Sequence, residues 1–161
     1  MKKIKIVICI ILVYLLQITV ISRLSVFGVK ADLLLIVTTL FAVTYGAEEG
    51  FLMGLFCGLV QDLCGGSFYM QTISKAILGF LIGTFKESVF GTEEGVALTA
   101  VAVATVTNFI LELTILFFFF GRPVASPLVL AATLVISCIY NSLLAPLFYP
   151  VVKFGSRLAM E

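Results

Sequence analysis

The side chains of this sequence that are able to do chemistry are few, and they lie inside apolar stretches. Three of them are ionisable, namely Asp62, Lys75 and Glu112. A charge at the centre of a bilayer costs about 2.5–3.5 kcal/mol, so each needs a partner if these stretches cross a membrane. The uncharged polar residues in the same stretches are amides: Gln17, Gln61, Asn108 and Asn141. Such a set can either pair charges or line a polar pocket.

The same inventory argues against an enzyme. Histidine is absent, so a Ser-His-Asp arrangement is impossible, and no G-x-x-x-x-G-K-[ST] sequence is present to bind a phosphate. No two cysteines form a C-x-x-C pair, and each lies in an apolar run, where a thiol acts as a small hydrophobic group. These cysteines are Cys9, Cys57, Cys64 and Cys138. We therefore expect no catalysis, disulfide, metal or cofactor.

The composition is that of a membrane protein. Apolar residues make up 61% of the 161 residues and charged residues 12%, and the mean hydropathy is +1.23. Soluble domains average about 45–50% apolar and about 25% charged. The net charge of +1 provides no basic surface for nucleic acid. The sequence predicts an all-α integral membrane protein, with residues 1–161 forming one polytopic domain.

Six apolar segments predict six transmembrane helices, since one span needs about 20 mostly apolar residues. The second and third segments are short, so four or five spans remain alternatives. A signal peptide is the alternative for the first segment, but Ile21-Ser22-Arg23 lacks the small residues of a cleavage site. Pro146 and Pro150 are expected to kink or end the last helix. The predicted spans are 4–22, 31–46, 48–64, 69–87, 95–120 and 128–152.

The basic residues next to these segments predict the orientation. With the N-terminus in the cytoplasm, the inner flanks carry six Lys or Arg residues and the outer flanks three. Positive residues favour the cytoplasmic side, so both termini are expected there. The inner set is Lys2, Lys3, Lys5, Lys86, Lys153 and Arg157, and the outer set is Arg23, Lys30 and Arg122.

A glycine ladder marks the third and fourth segments. Its glycines recur every four residues, and residues four apart share one helix face. Glycines on such a face let helix backbones approach closely within membranes. The ladder predicts close packing inside this chain, or else an interface with another membrane protein. It comprises Gly46, Gly50, Gly54 and Gly58, then Gly79 and Gly83.

The ionisable residues are expected to lie at similar depth in the outer half of the membrane. The Gly65-Gly66-Ser67 turn predicts an antiparallel hairpin, which brings Asp62 near Lys75. We therefore expect an Asp62–Lys75 ion pair, with Glu112 as the rival partner for the lysine. The alternative to a structural pair is a polar pocket open to the outside.

These segments resemble a known family. Residues 50–63 (GFLMGLFCGLVQDL), the Gly65-Gly66 turn and residues 74–83 (SKAILGFLIG) are similar to the bacterial rod-shape-determining MreD family. Its members read G-x-x-x-G-x-x-x-G-L-x-x-D, a glycine-containing turn and a G-[YF]-x-x-G span. Residues 29–35 match the start of its second span, where Asp32 aligns, and Gln17 matches a late first-span glutamine. The family usually has proline at the position of Ala31.

The resemblance implies a non-catalytic scaffold in the bacterial cell-elongation complex, which directs lateral peptidoglycan synthesis and cell shape. The implied partners are the lipid bilayer, an MreC-type bitopic protein, a glycosyltransferase–transpeptidase complex and, indirectly, the MreB cytoskeleton. The implied location is the bacterial inner membrane. The implied fold is similar to the six-helix substrate-binding component of energy-coupling-factor transporters.

That similarity supplies a second hypothesis, the substrate-binding component of a vitamin transporter. Such a component usually carries small residues such as A-x-x-x-A in its first span, whereas residues 4–22 contain neither alanine nor glycine. A channel or ion carrier that uses Asp62, Lys75 and Glu112 is a third hypothesis. The glycine-to-aspartate pattern favours the scaffold.

Overall fold

The computed structural model describes residues 2–19, 25, 28–66, 69–86, 95–121 and 126–160, and this part of the chain is all-helical. The predicted all-α class is therefore confirmed for the described residues. The helices are α1 (Lys2–Thr19), α2 (Leu33–Tyr45), α3 (Ala47–Gly65), α4 (Met70–Phe85), α5 (Gly95–Phe120) and α6 (Pro127–Met160).

Local sequence explains where the short helices begin and end. Asp32 caps α2, because its carboxylate accepts a hydrogen bond from the free Leu35 N–H. Gly46 joins α2 to α3 with a φ of 105°, a conformation that favours glycine. Gly66 ends α3 in the left-handed conformation, and its N–H donates to the Asp62 carbonyl.

Helix α2 is the centre of the bundle. It contacts each of the other five helices, and nine of its thirteen residues are buried. Its residues are apolar on every side, as expected of a helix surrounded by others. Helices α3 and α4 make the most extensive pairwise contact, and α1 packs on α2 and α3.

Two helices in the described part of the chain are long and apolar enough to cross a membrane. They contain the segments Ala97–Phe119 and Pro127–Pro150, of which only 22% and 11% are buried within the protein. Large apolar side chains such as Phe118 and Leu128 are exposed on them. Helix α2, with 13 residues, measures about 20 Å at about 1.5 Å per residue, which is short of a hydrocarbon core of about 30 Å.

The first and last helices differ from the first and last predicted spans. Helix α6 passes through Pro146 and Pro150 and continues to Met160, so these prolines do not end the helix, and a kink at them stays a prediction. Helix α1 is described from Lys2 to Thr19. The predicted remainder of the first span and the sequence Ile21-Ser22-Arg23 lie outside the described residues.

Candidate functional site: a polar cluster at one end of the bundle

Lys75 forms an ion pair with Asp32. The lysine side chain is fully buried, and its Nζ lies 2.6 Å from Asp32 Oδ2. Nζ also donates to Gln71 Oε1 at 2.5 Å, one turn earlier on α4. The other Asp32 oxygen accepts the Leu35 N–H at 3.0 Å, so one carboxylate both caps α2 and binds α4 to it.

The expected Asp62–Lys75 pair is wrong, because Asp62 caps α4 instead. Asp62 Oδ2 accepts the Thr72 N–H and the Thr72 hydroxyl, both at 2.7 Å, and Oδ1 accepts the Gln71 N–H at 3.1 Å. The residue at the N-cap of α4, Tyr69, makes no side-chain cap. The first N–H groups of a helix have no intrahelical partner and carry the positive end of its dipole. These N–H groups at the start of α4 therefore bind the Asp62 carboxylate, which the α3–α4 hairpin brings close to them.

Glu112, the expected rival, does not pair directly with Lys75 either. Its Oε1 accepts a hydrogen bond from Asn108 Nδ2 at 2.7 Å, one turn earlier on α5. Its carboxyl also interacts with the Gln71 side chain. The positive charge of Lys75 attracts the Glu112 carboxylate, and the negative charge of Asp32 repels it. Lys75 is thus nearer to Asp32, and Gln71 lies between the lysine and Glu112.

Two amides join the outer helices to the start of α2. Gln17 Oε1 on α1 accepts the Leu34 N–H at 3.2 Å. Asn141 Oδ1 on α6 accepts the Asp32 N–H at 3.0 Å, and its Nδ2 donates to the Thr105 hydroxyl on α5 at 3.1 Å. Both amides bond N–H groups of the first α2 turn that helix geometry leaves free. Side chains from α1, α4, α5 and α6 therefore converge on the beginning of α2.

The glycine ladder forms the contact between α3 and α4. A methyl group built on Gly54 would overlap the Lys75 carbonyl, and one on Gly58 would overlap Gln71 and Thr72. A methyl group on Gly79 would overlap Gly50. The ladder is thus used for packing within the chain, which is the first of the two alternatives. A methyl group on Gly83 would likewise overlap the backbone at Gly46, whereas one on Gly46 would meet only the Lys86 side chain, at an ordinary contact distance.

A cavity of about 270 Å³ opens beside the cluster. Six of the polar residues singled out from the sequence line it: Gln17, Asp32, Gln61, Asn108, Glu112 and Asn141. Lys75 and Asp62 do not line it, but both reach residues that do, Lys75 through Asp32 and both through Gln71. The structure therefore contains an ion pair, which Lys75 forms with Asp32 and not with Asp62, and a polar cavity next to it.

Two parts of the cluster were missed at the level of sequence. Gln71 was not a candidate, although it precedes Lys75 by one helical turn, toward the end of the bundle where the polar residues lie. Asp32 was a candidate only through family resemblance, although an Asp directly before the apolar run 33–43 is a typical N-cap signal. The N-termini of α2 and α4 lie at the same end of an alternating bundle, which could have indicated the Asp32–Lys75 pair.

Comparisons with known protein families, with curated proteins and with solved structures found no match to this chain.

Proposed function

We propose that this chain is a non-catalytic, multi-pass scaffold of the bacterial cell-elongation complex. In this proposal all six helices lie in the inner membrane and both termini are cytoplasmic. The chain would hold an MreC-type bitopic protein near the elongation glycosyltransferase–transpeptidase, with the MreB cytoskeleton as an indirect partner.

One observation carries the proposal: the residues behind the family resemblance are those that hold the first four helices together. Gly54 and Gly58 allow the α3–α4 approach, Asp62 caps α4, and Asp32 binds Lys75. The charged groups are thus used to fix helix register. A rigid helix arrangement is what a scaffold needs, and fully buried Lys75 is not available to a substrate.

The exposed apolar surface supports a membrane location. The α5 and α6 segments that are long enough to span a membrane are largely unburied, so lipid or a partner helix would cover them. The shorter helices α2 and α4 would lie in the same membrane because they pack against α5. A length of about 20 Å for α2 is compatible with a helix capped by polar groups below the membrane surface.

The cavity favours a second candidate, the substrate-binding component of a small-molecule transporter. It lies at the end of the bundle where the predicted orientation puts the outside, as uptake requires. Its volume of about 270 Å³ is below the roughly 300–1,000 Å³ of most ligand pockets. That size fits a smaller ligand than a vitamin, which is why the scaffold remains the first proposal.

Depletion in a rod-shaped host tests the proposal. If the chain is an elongation scaffold, depleted rods will widen and become round, and re-expression will restore their width. Rods that keep their width but lose uptake of a vitamin would establish the second candidate instead. A matched strain that loses an unrelated six-span protein controls for general membrane stress.

A further inference from the structure

The polar cavity has a size and a position that suit a small head group. It is lined on one side by Asp32 at the start of α2 and on the other by Asn108 and Glu112 of α5, with Ser137 of α6 completing the wall. Its volume of about 270 Å³ is slightly less than that of a drug-sized pocket. Because it is open at the polar end of the bundle, a ligand does not have to cross the packed core to enter.

Two amide oxygens of the residues that line the cavity lack a hydrogen-bond donor among the described residues. Gln61 Oε1 and Asn108 Oδ1 are buried and have no hydrogen-bond partner among the described residues. The Asn108 amide cannot simply be reversed, because its Nδ2 donates to Glu112 Oε1 at 2.7 Å, and a reversed amide would put two oxygens together. A buried acceptor without a donor is costly, so the wall favours a ligand rich in N–H groups.

The charges of the wall favour a cation. Asp32 is balanced by Lys75 at 2.6 Å, whereas the direct partners of Glu112 are the neutral amides of Asn108 and Gln71. Lys30, the cation among the described lining residues, has an exposed side chain. Glu112 is therefore the carboxylate whose charge is least compensated by a direct contact.

We propose that this cavity binds a primary ammonium group. An ammonium has three N–H donors and one positive charge, which suit a cavity lined by the Glu112 carboxylate and by the amide residues Asn108 and Gln61. The ligand that carries it is either the ethanolamine head group of a membrane lipid or a small soluble amine. The inference does not rest on the scaffold function, so the two can fail separately.

Native mass spectrometry of the full chain in detergent tests the inference. The probes are phosphatidylethanolamine and phosphatidylcholine with identical acyl chains, and the soluble pair phosphoethanolamine and phosphocholine. Choline keeps the positive charge but has no N–H donor, so we expect the ethanolamine member of a pair to bind at least tenfold more tightly. A preference in the lipid pair alone identifies a lipid head group, and a preference in both pairs identifies a soluble amine. Equal binding of ethanolamine and choline forms, or binding of neither, would overturn the inference.

Two variants and one control tie the binding to the cavity. Glu112→Gln should weaken ethanolamine binding at least tenfold, and Ser137→Phe should block it by filling the cavity without altering the Asn108–Glu112 hydrogen bond. The control Glu49→Gln makes the same chemical change at an exposed residue in the first turn of α3, at the end of that helix away from the cavity. It should leave ethanolamine binding unchanged. If Glu112→Gln does not fold, Ser137→Phe decides. Ethanolamine binding that persists in folded Ser137→Phe would overturn the inference.

Discussion

The ion pair between Asp32 and Lys75 makes a prediction that separates charge pairing from helix capping. Asp32→Asn should keep the cap of α2, because asparagine caps helices about as well as aspartate. The same change removes the negative charge that faces Lys75 Nζ at 2.6 Å. Lys75→Met removes the positive charge and keeps an apolar side chain in the same place.

The burial of Lys75 sets the expected magnitude. Its side chain is 0% exposed and that of Asp32 is 20% exposed, so either single change leaves a largely buried charge without its partner. Removing one partner of a buried pair costs about 3–5 kcal/mol. Each single variant should therefore lose about 3 kcal/mol of unfolding free energy. The double variant should lose less than the sum, with a coupling of at least about 1 kcal/mol, which exceeds the average of about 0.6 kcal/mol for hydrogen bonds in one membrane protein.

Equilibrium unfolding in detergent micelles measures this coupling in a double-mutant cycle. The matched control is the cycle of Asp62→Asn with Lys75→Met, because Asp62 bonds the start of α4 and not the lysine. The control cycle should show a smaller coupling than the Asp32 cycle, because Asp62 and Lys75 are connected only through their shared partner Gln71. Additivity for Asp32 and Lys75, together with coupling for Asp62 and Lys75, would refute the pairing described above.

Three further predictions concern packing, capping and topology. Gly54→Leu should sharply lower the amount of protein in the membrane, because even a methyl group at Gly54 overlaps the α4 backbone. The control Ala131→Leu, on an exposed face of α6, should leave that amount unchanged. Equal amounts of the two variants would contradict the α3–α4 contact. Asp62→Ala should lower the unfolding free energy by about 1–2 kcal/mol because the α4 cap is lost, and Asp62→Asn should lower it less. An Asp62→Ala variant as stable as the original chain would contradict the capping role. A reporter fused after Glu161 should be cytoplasmic and one placed within Arg122–Ser126 external, and an external signal from Glu161 would exclude an even number of spans.

The common level of the polar residues along the bundle was predictable from sequence, whereas their depth in a membrane stays a prediction. Counting about 1.5 Å per residue from the helix ends put Asp62, Lys75 and Glu112 at a similar level, and the structure gathers their contacts at one end of the bundle. The glycine spacing likewise predicted close helix packing. Both predictions depend only on the regular geometry of a helix, which sequence position determines.

The partners were not predictable from the same reasoning. The hairpin predicted Asp62 as the partner of Lys75. In the structure Asp62 instead binds the free N–H groups of Gln71 and Thr72 at the start of α4. Lys75, about one turn further along, instead meets Asp32, which is 43 residues away in sequence. The position of Asp32 also depends on Asn141, 109 residues away. Such contacts depend on how α2 packs against the other helices, and no local sequence pattern determines that packing.

The proposed scaffold role is tested most directly by what the intact chain binds in its own membrane. The chain should be purified from gently solubilised, cross-linked membranes and its partners identified by mass spectrometry, with an unrelated multi-pass protein of equal abundance as the control. The account predicts recovery of an MreC-type bitopic protein together with the elongation glycosyltransferase–transpeptidase, and their absence from the control. Recovery of an ATP-driven transport module without any cell-elongation protein would contradict it.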